Sequence, residues 1–263
     1  VLFFNKGHWM IGLNRPKGIN IKNNIELNFL KQSGKMLKSV KKIIKNNIEE
    51  GITTKELDYI AEKEILNLGG KPGFKGLYGF PGTICSSFND EIVHGIPSNR
   101  KIIKGDIISI DCGVIYEEFN TDSAFTMGIG NLSSKSTKLI ETTQNALNLG
   151  IKQAIPNNHI GDIGYAIESY SINKGFSVVK EYVGHGIGKA LHEDPQIPNY
   201  GMKSSGSKII KGMALAIEPM LIEGNEQTKI NTDGWTVKTE DGTMSAHFED
   251  TIIITNSGNE IIT

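Results

Sequence analysis

Apolar residues recur at helical spacing through "IELNFLKQSGKMLKSVKKIIKNNI" (25–48), and Lys31, Lys35, Lys38, Lys41, Lys42 and Lys45 fall on the other faces. That pattern predicts an amphipathic helix with a solvated lysine face. Further on the period changes. "DIISIDCGVI" (106–115) and "MALAIEPMLI" (213–222) are short, apolar and rich in β-formers, so they predict strands. "EDTIIITNSGNEIIT" (249–263) predicts a terminal strand and turn. "EEGITTKELDYIAE" (49–62) and "NNHIGDIGYAIE" (157–168) each open on a polar turn and continue as an amphipathic helix. No apolar run approaches the ~20 residues that a membrane helix needs.

The chain repeats itself. "KIIKGDIISID" (101–111) and "KIIKGMALAIE" (208–218) share the run Lys-Ile-Ile-Lys-Gly and end in a carboxylate at the same offset, 107 positions apart. The upstream helical stretches close on Glu62 and Glu168, 106 apart, and "HGI" occurs at 94–96 and 185–187. Three matches in one order outweigh chance, even in a chain that overuses Ile, Lys and Asn. The prediction is an internally duplicated α+β unit with pseudo-twofold symmetry, each half (24–130 and 134–258) running helix, helix, strands. A site is expected where the halves meet.

Composition narrows the classes. The 263 residues are 38% hydrophobic and 22% charged, with a formal net charge of -1, which disfavours nucleic acid as the main ligand. Two cysteines, Cys85 and Cys112, build neither a disulfide framework nor a Cys-rich zinc module, and a reducing, cytoplasmic setting is the simpler expectation. Residues 1–21 begin with Val, lack a secretory apolar region, and are expected to form a peripheral extension to a single domain over 22–263.

Four carboxylates sit where strand patterns disfavour them: Asp111 in "IISIDCGVI", Asp122 in "FNTDSAF", Glu218 in "ALAIEPMLI" and Glu249 in "SAHFEDTIIIT". A carboxylate buried in a strand is costly unless paired or bound to a cation. For any one of them, exposure at a strand end is the simpler reading. Four together, with the glycine-flanked His185 and with His192 seven residues on, favour a metal. Oxygen ligands with one imidazole suit Mn(II), Fe(II), Co(II) or Zn(II). Five such ligands are too many for one open catalytic ion and suit a pair, which is hydrolytic chemistry.

"HGIP" at 94–97, "SIDCGV", "NTDSA", "GHGIG", His192, "AIEPM" and "FED" together resemble type I methionine aminopeptidases, over about residues 22–262. The resemblance implies the α+β pita-bread fold, an internally duplicated antiparallel sheet flanked by helices. It implies two divalent metal ions held by Asp111, Asp122, His185, Glu218 and Glu249, with Asp122 and Glu249 bridging. Glu218 is then the proton acceptor as a bridging hydroxide attacks, while His192 and His94 bind the substrate backbone and stabilise the tetrahedral intermediate. Phe74, Leu77, Phe80, Cys85, Leu191 and Trp235 would wall a pocket for the methionine side chain. The implied substrates are N-termini of nascent polypeptides whose second residue is small. The implied state is a monomer with no membrane partner, and the lysines of 31–45 are a candidate ribosome-docking face. The chain departs from the family at Leu77 and Tyr78, at Thr121 before the second aspartate, and at Asp250, where a histidine usually follows the last glutamate. The rival readings are a proline-specific aminopeptidase and a non-enzymatic binding protein on the same fold. The former carries a large N-terminal domain for which this sequence has no counterpart, and the latter loses ligands that this sequence keeps.

Overall fold

The computed structural model describes residues 17–263. Of the expected peripheral segment, 1–16 lie outside the described residues. Gly18 and Ile19 lie against Asp194.

Four helices form where cap chemistry and apolar spacing coincide. Helix α1 (Asn24–Asn47) starts at Asn23, whose side chain accepts from the backbone of Ile25 and Glu26 while Glu26 reaches back to the Asn23 N–H. It buries Leu30, Leu37, Val40 and Ile44. Helix α2 (Thr54–Asn67) is capped in the same reciprocal way by Thr53 and Glu56. Helix α3 (Ser134–Gln153) is capped by Ser133, and α4 (Ile160–Lys174) ends at Gly175 in the left-handed region.

Each helix pair packs over strands of its own half. The first half has a four-stranded antiparallel sheet in which Ile107–Tyr116 pairs with Ile84–Phe88, Lys71–Pro72 and Phe119–Gly128. The second has a five-stranded sheet in the order Asn259–Ile261, Asp250–Ile254, Ala214–Ile217, Gly184–Gly186, Glu193–Ile197. Two small three-stranded sheets complete the described strands. The duplication appears in the backbone pairing. Thr53, which caps α2, bridges to Lys101, and His159, which caps α4, bridges to Lys208. Both "KIIKG" segments therefore tie the start of a helix to the start of a strand. The two "HGI" tripeptides are not equivalent: His94 follows the short strand Glu91–Val93, whereas His185 lies within one.

Two expectations change in detail. "MALAIEPMLI" is not one strand but two, Ala214–Ile217 and Met220–Ile222, which belong to different sheets. Pro219 has no N–H to donate and restricts the residue before it, so the ladder breaks at Glu218. The lysines of α1 are not all solvated. Lys35, Lys38 and Lys42 are exposed, but the Lys41 side chain is only 13% exposed and pairs with Asp250. Among the described residues, no helix is long and apolar enough to cross a membrane.

The loop between Gly184–Gly186 and Glu193–Ile197, which carries His192, is tied to the start of the described chain by a buried ion pair. Lys22 Nζ lies 2.6 Å from Glu193 Oε2, each side chain is 1% exposed, and Glu193 Oε1 also accepts from the Ala190 N–H. Removing one partner strands the other charge. Lys22→Met is expected to destabilise the protein by about 3–5 kcal/mol. Adding Glu193→Gln is expected to return part of that loss. Urea unfolding of the two variants against the parent measures both.

Candidate metal centre

Register places the acids. In the long hairpin, Asp111 lies opposite Ala124, and Gly113 lies opposite Asp122. Asp111 and Asp122 are thus diagonal neighbours on one face of the sheet. Gly113 is required there, because a Cβ on it would stand 2.8 Å from the Phe74 ring. Glu249 follows the strand Ser245–His247, and its N–H and C=O exchange hydrogen bonds with Ala124 at 3.0 and 3.2 Å. That pair of bonds joins the two halves of the molecule beside Asp122. From the second half, His185 sits opposite Ala216, and Glu218 leaves the same strand two residues on, at the Pro219 break.

These positions converge on one cavity of about 40 Å³, lined by Asp111, Asp122, His185, Glu218, Glu249, His94, His192, Phe74, Cys85 and Leu191. One ligand atom each from Asp122, His185 and Glu249 lies within 4.8 Å of the other two. His185 Nδ1 is 2.9 Å from the Gly186 carbonyl and donates to it, which leaves Nε2 as a lone pair 3.6 Å from Glu218 Oε1. Two acceptors facing each other at that distance want a cation between them.

Electrostatics agree. Burial raises the Asp111 carboxyl to about 7. Asp122, Glu218 and Glu249 are pushed well above the carboxylate range, first by burial and then by one another's charge. Asp111 Oδ1 and Glu249 Oε1 are buried with no hydrogen-bond donor among the described residues. Burial acts in the opposite sense on the imidazoles, taking His185 down to about 4 and holding His94 well below its usual value. The donor set fits divalent ions: acidic oxygens and a neutral imidazole, crowded, dry and short of hydrogens.

The remaining predicted residues divide. The His192 ring meets the His185 ring edge to face, with centroids 4.6 Å apart. His94 adopts φ 61, a conformation that a non-glycine residue rarely takes, and its ring packs edge-on against Tyr182. Phe74, Cys85 and Leu191 line the cavity itself. Phe80 and Trp235 stand behind them, edge to face at 5.2 Å, with Leu77 at the margin of the same apolar cluster.

The structure adds residues that the sequence reading did not place in the site. His247 is 1% exposed, and its Nε2 points at Glu218 Oε2 from 3.8 Å. Strand alternation puts residues 247 and 249 on one face, which was the available signal. Asp250, a departure from the family pattern, turns away from the cavity to meet Lys41, Ser123 and Thr263.

Residues 28–256 match the model of metallopeptidase family M24. Among curated relatives, the methionine aminopeptidase of Clostridium perfringens is 46% identical over 93% of this chain and 98% of its own length. Methionine aminopeptidase 1 of Bacillus subtilis is 48% identical over 90% of this chain and 96% of its own. The crystal structure of a methionine aminopeptidase from Thermotoga maritima superposes with a TM-score of 0.92 at 39% identity, covering 94% of this chain and 99% of that one. A prolidase from Pyrococcus furiosus shares the fold, at a TM-score of 0.76 and 22% identity over 92% of this chain and 65% of that one. With the duplicated antiparallel sheets, the acid-lined cavity and matches along nearly all of its length, this chain belongs to metallopeptidase family M24, among its methionine aminopeptidases.

Proposed function

We propose that Asp111, Asp122, His185, Glu218 and Glu249 hold the two divalent ions with which this aminopeptidase removes N-terminal methionine. The carrying observation is the buried cluster itself, four carboxylates and a lone-pair imidazole in one cavity with oxygens that no donor reaches. Asp122 and Glu249, brought side by side where Glu249 pairs with Ala124 two residues beyond Asp122, would be the ligands shared by both ions. When bound, the ions supply the positive charge that makes water nucleophilic at neutral pH and polarises the scissile carbonyl.

The protein's own groups do the rest. Glu218, ionised beside the bound ions and given a raised proton affinity by its burial, takes the proton from the attacking water. His94 and His192, at the mouth of the same cavity, donate hydrogen bonds to the substrate carbonyl as charge develops on its oxygen. Phe74, Cys85 and Leu191, backed by Phe80, Leu77 and Trp235, receive the methionine side chain. The family resemblance of the motifs is what favours a small second residue. Both halves of the chain contribute lining to this one cavity, which supports 22–263 acting as a single catalytic domain. The substrates are nascent chains in the cytoplasm, with exposed Lys35, Lys38 and Lys42 of α1 facing the ribosome.

Metal-stripped protein given Mn(II) or Co(II) is expected to release methionine from Met-Ala-Ser and nothing from Pro-Ala-Ser. Asp122→Asn is expected to lower that rate at least about a hundredfold, since even residues that only support ligands change activity by about 10–100-fold. Cleavage of an Xaa-Pro substrate such as Ala-Pro by the parent would move the protein to the prolidase side of the family.

The raised carboxyl groups keep protons near neutrality that incoming ions must displace. Metal binding at pH 6.5 is therefore expected to release protons, and apparent affinity is expected to climb as pH rises through about 7, the Asp111 value. Calorimetry in buffers of different ionisation enthalpy reads this directly, and a buffer-independent heat would contradict it. Charge reversal at Lys35, Lys38 and Lys42 is expected to abolish co-sedimentation with ribosomes, and unchanged co-sedimentation would remove the docking role.

A further inference from the structure

We infer that Lys41, Ser123 and Asp250 form a charged brace on the reverse face of the sheet, fixing the spacing between Asp122 and Glu249. The inference rests on the reading of those two carboxylates as the metal-bridging pair.

Strand alternation puts Ser123 on the opposite face from Asp122, and Asp250, the first residue of the strand after Glu249, turns away from the cavity to the same side, where it meets Lys41 and Ser123. Helix α1 crosses that face and sends Lys41 into it, unlike its exposed neighbours Lys38 and Lys42. Lys41 Nζ donates to Ser123 Oγ at 2.5 Å and to Asp250 Oδ1 at 3.2 Å. With that lone pair engaged, the Ser123 hydroxyl hydrogen goes to its nearer acceptor, the Glu249 carbonyl at 2.6 Å, rather than to Asp250 at 3.1 Å. The Ser123 N–H donates to Asp122 Oδ1 at 2.9 Å. One serine thus holds the carboxylate of one ligand and the main chain of the other, and Lys41 holds the serine.

The far side is closed as well. Thr263 Oγ1 reaches Asp250 Oδ1 at 3.2 Å and accepts the Thr251 N–H at 2.8 Å. Thr251 Oγ1 accepts from the Asp122 N–H and donates to the Asp122 carbonyl. A partly buried ammonium needs such partners to be tolerated at all. Their position at the junction of the two halves gives the cluster a use beyond neutralising one lysine. None of the three residues lines the cavity, so they are positioning residues.

Lys41→Met, Asp250→Asn and Ser123→Ala are tested by Co(II) titration, with the visible spectrum of bound Co(II) as the readout of ligand geometry. Apo-protein melting and kcat and KM for Met-Ala-Ser are measured beside it. The brace predicts Co(II) affinity lowered about 10–100-fold and an altered spectrum in each variant, with kcat falling more than KM, and recovery of the spectrum in Lys41→Arg. Wild-type affinity and spectrum in the variants, with only a lower melting temperature, would overturn it. If Lys41→Met does not fold, Ser123→Ala removes the central hydroxyl without stranding a charge and decides alone. Asp122→Asn in the same titration separates the two readings. Loss of Co(II) there with intact binding in the brace variants sinks only the brace. Retention there sinks the ligand assignment on which the brace depends.

Discussion

Four carboxyl groups in one dry cavity repel one another as anions, and the rest of the structure is arranged around holding them there. Two unit charges 4 Å apart interact by about 4 kcal/mol at the effective dielectric of a protein. No single loop would keep such a set together. Here each acid is fixed by strand backbone that is itself buried: Asp111 and Asp122 by the ten-residue arms of one hairpin, Glu249 by its bond pair with Ala124, Glu218 by the end of a strand flanked by Ile217 and Met220. The apolar core under the four helices supplies the stability that this crowding uses up.

The duplicated architecture explains how one chain supplies such a cluster. Each half ends its "KIIKG" strand on an acid, Asp111 in the first and Glu218 in the second, and each ties that strand to a helix start through the Thr53–Lys101 or His159–Lys208 bridge. The halves then diverge. The first continues unbroken through Cys112 into the hairpin that bears Asp122, whereas Pro219 breaks the second and releases Glu218 from the ladder.

Much of this was legible in the sequence, for identifiable reasons. Helix α1 was readable because its apolar residues keep helical spacing, and the bounds fall within a residue of the pattern, while the Asn23 and Glu26 cap was a signal left unread. The acids stood out because a strand interior tolerates them poorly, and the repeat told where to look. What the sequence hid depends on direction in space. Six lysines at helical spacing look alike, yet Lys41 alone turns towards Asp250, 209 residues away. The Lys22–Glu193 pair has no local signature at either end. The break in "MALAIEPMLI" was signalled by Pro219 and was outweighed by the apolar run around it. Asp250 looked like a lost histidine, and only the packing of α1 shows what it faces.

One physical lever prepares both kinds of side chain in the cavity. Withdrawal of water disfavours whichever form is charged, so the same burial that raises Asp111, Asp122, Glu218 and Glu249 lowers His94, His185 and His247. The imidazoles are thereby kept neutral, as a metal ligand or a hydrogen-bond donor to a carbonyl must be. The acids are left short of the cations that would let them ionise. Divalent charge entering the cavity resolves the second condition and reinforces the first, because a nearby cation disfavours imidazolium further. Such a cluster is therefore selective for what it would hold, because it gains most from ions of double charge.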